Sequence, residues 1–390
     1  MDFPNTIHQR FSVEFDYPVH FARGVFDPAC DLLAKVFSRR DAQRIHRVVV
    51  CLDEGLAAAQ PELAAQIKAW FHAHNDIVEL ASGPILLPGG PAAKTSHDVL
   101  RDLMWTLGNV HLDRQSFVLA IGGGSMLDAA GMAVSLVHRG LRLVRMPSTT
   151  LAQNDAGVGV KNGVDEHGQK NFLGTFAPPF AVVNDLDLLN TLPDDHWRGG
   201  ISEAFKVALI CDKPFFEFLT AHADALAARD SAAMETLVRW CAAIHLNHIA
   251  TSGDPFEFGT ARPLDFGHWS AHRLEIASDH AIPHGLAVGI GIALDCCYAR
   301  RKGLLTEAQL DSILDAMTRC GLPIFAPELA ATTPSGELDI LVGLEQFREH
   351  LGGELTITLP DSIGQRTDLH HLNPDWIVES VADLAARSNA

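Results

Sequence analysis

Between Arg262 and His284 the chain reads RPLDFGHWSAHRLEIASDHAIPH, with four histidines, His268, His272, His280 and His284, among small and apolar residues. In a helix, His268 and His272 are four apart and share one face. His284 follows a break at Pro283 and precedes Gly285, where a chain turning back could bring its imidazole to the other two. Two or three imidazoles with a carboxylate form the ligand set of a catalytic zinc, with one position open for water or substrate. A buried helix with ordinary hydrogen-bonded histidines accounts for the same residues, and both readings stay open on this stretch alone. In GGISEAFKVALI, Glu203 and Lys206 lie three apart on one helical face. They could form a plain ion pair, or a carboxylate ligand beside a substrate-binding ammonium.

A second stretch, SFVLAIGGGSMLDAAGMAVSLVHRG, reads as strand (117–121), Gly-rich turn (122–125) and helix (126–137). Glycines at a strand's end let backbone N–H groups approach a pyrophosphate, and a helix N-terminus adds its positive dipole end. GGGS is not the usual GxGxxG, so a simple tight turn remains an alternative. Asp53 closes the apolar run RVVVCLD, where an acid could take a nucleotide ribose or merely be solvated. After a strand at 141–146 comes PSTTLAQNDAGVGVKNGVDEHGQKNFLGTF, a long loop with Lys161 and Lys170 beside Asn162 and Asn171. Such a loop is a solvated connection or a phosphate-binding device.

The elements that would position these residues divide the chain. FSVEFDYPV (11–19) alternates like a strand, 47–53 and 181–185 read as buried parallel strands, and 77–80 and 85–87 are short apolar runs. Residues 57–74 are periodic as a helix, and LPGGPAAK is a Gly/Pro loop ending at Lys94. From Leu188 onward the pattern is helical, over 200–210, 214–226, 231–249 and 306–320, with a hairpin in LGGELTITLPDSIGQ. The expected architecture is an α/β domain over 1–187 and a mainly α-helical domain over 188–390.

Hydrophobic residues at 47% and charged residues at 20% exclude a disordered chain. A net charge of −18 argues against nucleic acid, so an anionic small substrate needs a local basic pocket. Seven cysteines without a CxxC pattern read as reduced thiols. The opening MDFPNTIHQRF lacks a basic region followed by an apolar one, and no uncharged apolar run is long enough to span a membrane. A cytoplasmic protein is expected.

With GGGSMLDAAG, RGLRLVRMPSTTLAQNDAGVGVKNGV, GQKNFLGTF, GGISEAFKVALI and DFGHWSAH followed by IPHG in this order, the chain resembles the sugar phosphate cyclases of the 3-dehydroquinate synthase superfamily over nearly its whole length. The resemblance implies that 1–187 is a Rossmann-like, NAD-binding α/β domain and 188–390 a mainly α-helical metal- and substrate-binding domain, with the active site between them. It implies Glu203, His268 and His284 as ligands of a divalent metal, zinc or cobalt. Asp53, Lys94, Gly123, Gly124, Ser125, Asp128, Ser148 and Thr149 would contact NAD. Lys161, Asn171, His272 and Arg139 would hold the substrate phosphate, Arg139 from the other subunit of a homodimer, with Lys170 alongside. Asp155 and Lys206 would contact ring hydroxyls. The implied reaction oxidises a heptulose phosphate transiently, eliminates phosphate, re-reduces the product and closes a carbocycle by an intramolecular aldol step.

Departures from 3-dehydroquinate synthase concern the substrate. Where that enzyme reads a carboxylate with a lysine and an arginine, this chain has Asn247 and Ala261, with Arg262 one place along; its asparagine before FGH is Asp265. An acid there would repel a substrate carboxylate, which points toward the cyclases of sedoheptulose 7-phosphate. Those cyclases do not keep a histidine matching His272, while Pro91 and Leu286 stand where glutamates are usual, which points to a separate branch of the superfamily; His245 and His248 could line the altered pocket. Two other functions stay open: a polyol oxidoreductase of the iron-containing, glycerol-dehydrogenase-like class, and a non-catalytic relative that keeps NAD and metal as structure.

Overall fold

A computed structural model of the chain describes residues 5–95, 97–167, 169–258, 263–350 and 354–388. The first part contains β1 (Val19–Ala22), α1 (Leu32–Ser38), β2 (His46–Asp53), α2 (Glu54–Ala59), α3 (Leu63–Ala73), β3 (Val78–Leu80), β4 (Ile85–Leu87), α4 (Pro91–Thr95) and α5 (His97–Asn109). It continues through β5 (Phe117–Gly122), α6 (Gly124–Leu136), β6 (Arg142–Pro147), β7 (Lys161–Glu166), β8 (Gln169–Phe176) and β9 (Ala181–Asp185).

Seven of these strands form one parallel sheet in the order β1-β9-β6-β5-β2-β3, with β4 pairing the far end of β2. Both faces are covered, which is why its strands are continuous apolar runs. Along β2, Val48, Val50 and Leu52 enter one core while Val49 and Cys51 enter the other. The carboxyl ends of β2, β5, β6 and β9 bring Asp53, Gly122, Pro147 and Asp185 to one edge, where open α/β sheets bind ligands.

Three local expectations are corrected. The alternating 11–19 stretch is no strand. Pairing with β9 begins only at Val19, and Phe11, Val13 and Phe15 are exposed. Alternation says which face a strand would bury, not whether an edge is there to receive it. Lys94 sits in α4, opened by Pro91, whose missing N–H suits a first helical turn. The long segment after β6 is structured: a π-helical turn, Ala152–Ala156, precedes the antiparallel hairpin β7–β8. Arg145 on β6, fully buried, organises it by donating to the carbonyls of Gly157, Gly159 and Lys161 and to Asn162 Oδ1.

The second part holds α7 (Asp194–Cys211), α8 (Lys213–Ala221), α9 (Ala223–Ala227), α10 (Ser231–Thr251), α11 (His268–Ala277), α12 (His284–Lys302), α13 (Glu307–Arg319), α14 (Ile340–His350), the hairpin β10 (Ile357–Ser362) and β11 (Gln365–Leu369), and α15 (Pro374–Ser388). α12 is buried almost all round, so it has no polar face. Where it crosses α7, a Cβ on Gly285 would lie 2.4 Å from Gly199 Cα, so this approach requires glycine. The crossing sets His284, first in α12, against Glu203, one turn along α7. α11 starts from Gly267 in the left-handed conformation (φ +80°). The Gly267 N–H donates to Asp295 Oδ2 (3.0 Å) and Trp269 Nε1 to Asp295 Oδ1 (2.8 Å), which aims His268. All seven cysteines are free thiols, and no helix among the described residues is long and apolar enough to cross a membrane.

Candidate active site

Helix α7 supplies Glu203 and Lys206, α11 supplies His268, His272 and Glu275, and α12 opens with His284. The three imidazoles converge, with ring centroids 5.5–5.8 Å apart. Glu203, His268 and His284 each present a ligand atom, all within 4.8 Å of one another. Glu203 is fully buried; its Oε2 contacts Lys206 Nζ, and Oε1, 3.8 Å from His268 Nε2, has no hydrogen-bond partner. Two ligands of one tetrahedral zinc stand roughly 3.3 Å apart for bonds of about 2.0–2.1 Å. An orphaned carboxylate oxygen at near that spacing fits a divalent cation.

The outer hydrogen bonds agree with this fit. His268 Nδ1 pairs with the Phe266 carbonyl (3.1 Å) and His284 Nδ1 with Glu275 Oε2 (3.0 Å). Each ring thereby donates from Nδ1 and keeps an Nε2 lone pair for a metal. Burial, then the Lys206 charge, holds His268 well below the ordinary imidazole range; burial and His268 do the same for His272. For His268 this favours the neutral ring that ligation requires. Burial also raises Glu203.

Lys206 joins this cluster to Asp155. Its Nζ lies 3.3 Å from Asp155 Oδ1, which also receives His245 Nδ1 at 2.8 Å. Burial alone would lower Lys206, but Asp155 and Glu203 outweigh it and hold the ammonium charged. Burial would raise Asp155, but Lys206 and His245 keep it well below the carboxylate range. Its neighbours fix the π-turn: Gln153 Nε2 donates to the carbonyls of Pro147 and Asp185, and Asn154 Nδ2 to that of Gly200. Sequence reasoning missed this anchoring and gave His245 no more than a lining role. His245 follows Cys241 and precedes His248 at helical spacing, which was the available signal.

On the sheet side, α6 begins at Gly124 with Gly123 as an N-cap that offers no side chain. Gly124 and Ser125 therefore belong to the first helical turn. A Cβ on Gly122 would meet Asp53 Cβ at 3.0 Å and one on Gly123 would meet Thr149 Cγ2 at 3.3 Å. The free N–H groups of a long helix above a glycine cradle fit a dinucleotide pyrophosphate. Asp53 Oδ1 caps α2 by accepting from Gly55 and Leu56. Ser148 is buried with its N–H on the Gly122 carbonyl, and Thr149 Oγ1 accepts from Ala152 N. Lys94 bridges Asp128 Oδ2 (2.6 Å) and Asn171 Oδ1 (2.7 Å), tying the nucleotide side to the hairpin.

The expected phosphate group is only partly assembled. Asn171, in the left-handed region (φ 52°), and Lys170 lie near the hairpin turn, Lys170 reaching Glu275 Oε1 at 2.5 Å. Lys161 is at the other end of the hairpin, paired with Glu257 (2.6 Å). Arg139 is exposed beyond the C-terminus of α6, the helix whose N-terminus faces the site. Within one chain it is not brought to the other residues. Asp265 lies on a short 3₁₀ turn three places before His268, and Arg262 lies outside the described residues. Leu286 packs against the helical core, and His280 is exposed. Glu275 was also missed, although at i+3 from His272 and i+7 from His268 it shares their face.

Known proteins give the same arrangement a lineage. The family profile described as 3-dehydroquinate synthase N-terminal matches residues 84–199, and the one described as 3-dehydroquinate synthase C-terminal matches residues 200–337. The chain belongs to the 3-dehydroquinate synthase family. A 2-epi-valiolone synthase from Actinosynnema mirum is 34% identical over 351 residues, 90% of this chain and 87% of its own. A 3-dehydroquinate synthase from Azotobacter vinelandii is 33% identical over 354 residues, 90% of each. The structure of ValA, a 2-epi-5-epi-valiolone synthase from Streptomyces hygroscopicus subsp. jinggangensis 5008 with NAD+ and Zn2+ bound, matches with a TM-score of 0.85. The match covers 98% of this chain and 100% of that one, at 28% identity. The NAD-binding α/β part followed by a helical part, expected from sequence, is the architecture of this family.

Proposed function

We propose that this 3-dehydroquinate synthase family member is a metal- and NAD-dependent sugar phosphate cyclase, a carbon–oxygen lyase acting on a heptulose phosphate. The observation that carries the reading is the convergence of Glu203, His268 and His284 beside the Lys206–Asp155 pair. When bound, NAD+ would accept and return a hydride while the divalent ion, zinc or cobalt, polarised the substrate's oxygens. Glu203, His268 and His284 hold the ion. Gly123, Gly124 and Ser125 present backbone N–H groups to the nucleotide phosphates, with Asp53, Lys94, Asp128, Ser148 and Thr149 around it. Lys206 and Asp155 orient ring hydroxyls in a site with little water, where fixed charges act strongly. His272, Lys170 and Asn171 would face the departing phosphate and keep it near the carbon that must lose a proton, with Lys161 reaching it from the other end of the hairpin once released from Glu257.

Asp265, in place of an asparagine, and Asn247 on α10, in place of a lysine, favour a substrate without a carboxylate. The same reading divides the chain into domains at 187/188 and makes the enzyme a cytoplasmic homodimer, with Arg139 serving the neighbouring subunit's phosphate pocket. The test is phosphate release with NAD+ and Zn2+ or Co2+, comparing sedoheptulose 7-phosphate with the carboxylated heptulosonate phosphate. Phosphate release from sedoheptulose 7-phosphate without accumulating NADH supports the proposal. Turnover of the carboxylated sugar alone would overturn the role given to Asp265; stoichiometric NADH would replace the cyclase with a dehydrogenase.

A further inference from the structure

Glu275 joins two parts of the site that chemistry would otherwise treat separately. It is 5% exposed on α11, and both of its carboxylate oxygens are engaged. Oε2 takes the His284 Nδ1 hydrogen bond at 3.0 Å from the start of α12. Oε1 takes Lys170 Nζ at 2.5 Å from the β7–β8 hairpin, in the sheet-forming part of the chain. Lys170 is followed by Asn171, which accepts from Lys94, itself paired with Asp128 on α6. A second donor set, His272, Glu275 and His284, also lies within 4.8 Å. Glu275 is poorly suited to be its metal ligand, because Lys170 already neutralises it.

We propose that Glu275 is a positioning residue that couples anion binding at the hairpin to metal affinity at His284. The inference rests on the reading of Glu203, His268 and His284 as ligands. A carboxylate shared between an ammonium and an imidazole N–H acts weakly on each. An anion that draws Lys170 to itself leaves the Glu275 charge to His284 alone. The imidazole is then held more firmly, and its Nε2 becomes a better donor. Anion and metal therefore help each other bind, and the coupling is reciprocal.

The test measures zinc affinity of the full chain by chelator competition, with and without saturating inorganic phosphate, and records the visible spectrum of the Co2+ form. Phosphate should tighten zinc binding in the unsubstituted protein by about 5-fold or more. Glu275→Gln should weaken it by about 10- to 100-fold, abolish the phosphate effect and leave the cobalt spectrum unchanged. Lys170→Met, which removes only the exposed end of the bridge, should bind zinc as tightly as the phosphate-saturated protein and no longer respond to phosphate. Unchanged zinc affinity in Glu275→Gln, a phosphate effect that survives it, an altered cobalt spectrum, or weaker zinc binding in Lys170→Met would each overturn the proposal. Glu203→Ala separates the two levels. If it keeps zinc, the ligand reading fails and this inference with it; if it loses zinc while Glu275→Gln does not, only this inference fails.

Discussion

The two sides of the candidate site are built on opposite principles. The helical wall fixes its functional groups by packing: Glu203 and Lys206 are 0% and 2% exposed, and glycine contacts between α7 and α12 set their distance from His284. The sheet-side wall presents cations on a short helix and a hairpin, with the side chains of Lys161 and Lys170 56% and 28% exposed. Each is held by a carboxylate from the other part of the chain. A metal needs donors in place before it arrives, which packing provides at the cost of buried charge. An anion needs donors that are available but not loose, which an exchangeable ion pair provides.

Substitutions at five positions test that contrast, in falling order of expected effect. Lys206→Met strips the ammonium from between Asp155 and Glu203, and should cost about 3–5 kcal/mol in denaturant unfolding of the metal-free protein, as for other buried pairs that lose one partner. A loss below 1 kcal/mol would mean that the helical wall is not electrostatically built. Asp295→Asn probes the support beneath His268. Burial lifts the Asp295 carboxyl to about 7. Between pH 4 and 7 the unfolded chain gives up this proton while the folded protein keeps it. Asp295 therefore contributes stability, on the order of a few kcal/mol, that is lost as pH rises through that window, opposite in sign to the slope from His268 and His272. Asp295→Asn should lack that contribution; parallel pH profiles would refute the assignment.

His245→Phe deletes the donor to Asp155 and should lower kcat on the order of 10- to 100-fold with little change in KM. His245→Asn keeps a donor near the Nδ1 position and should recover much of the loss, whereas equal losses in both would make the role structural. The smallest effect is expected on the exposed wall. Lys161→Ala should change stability by less than about 1 kcal/mol. It should raise KM for the phosphorylated substrate, and Glu257→Gln, which frees Lys161, should lower it. A KM that moves with neither would remove Lys161 from the phosphate pocket.

Legibility followed the same divide. His268 and His272 are one helical turn apart, so their shared face could be read from spacing. Glu203 and Lys206, GGGS and the buried strands were equally local patterns. Glu275 shared the histidine face yet went unread, because its meaning depends on Lys170, 105 positions earlier. Asp155 was found by motif likeness, but its anchoring by Gln153 and Asn154 was not, since their partners lie on β9 and α7. Residues 11–19 show the reverse error, a strand pattern without a strand edge.

Family likeness joined Glu203 to the histidines; the amino-acid order by itself determined the parallel α/β part, the helical part after it, and histidines of the type and spacing of metal ligands. These follow from periodicity and residue type, which act over a few neighbours. Only the tertiary structure decided which distant carboxylate shares which cation: Asp155 with Lys206 and His245, Glu275 with both Lys170 and His284. Those pairings depend on how helices cross and where a hairpin lands. Charge interactions reach across space irrespective of sequence distance, so no local pattern encodes them.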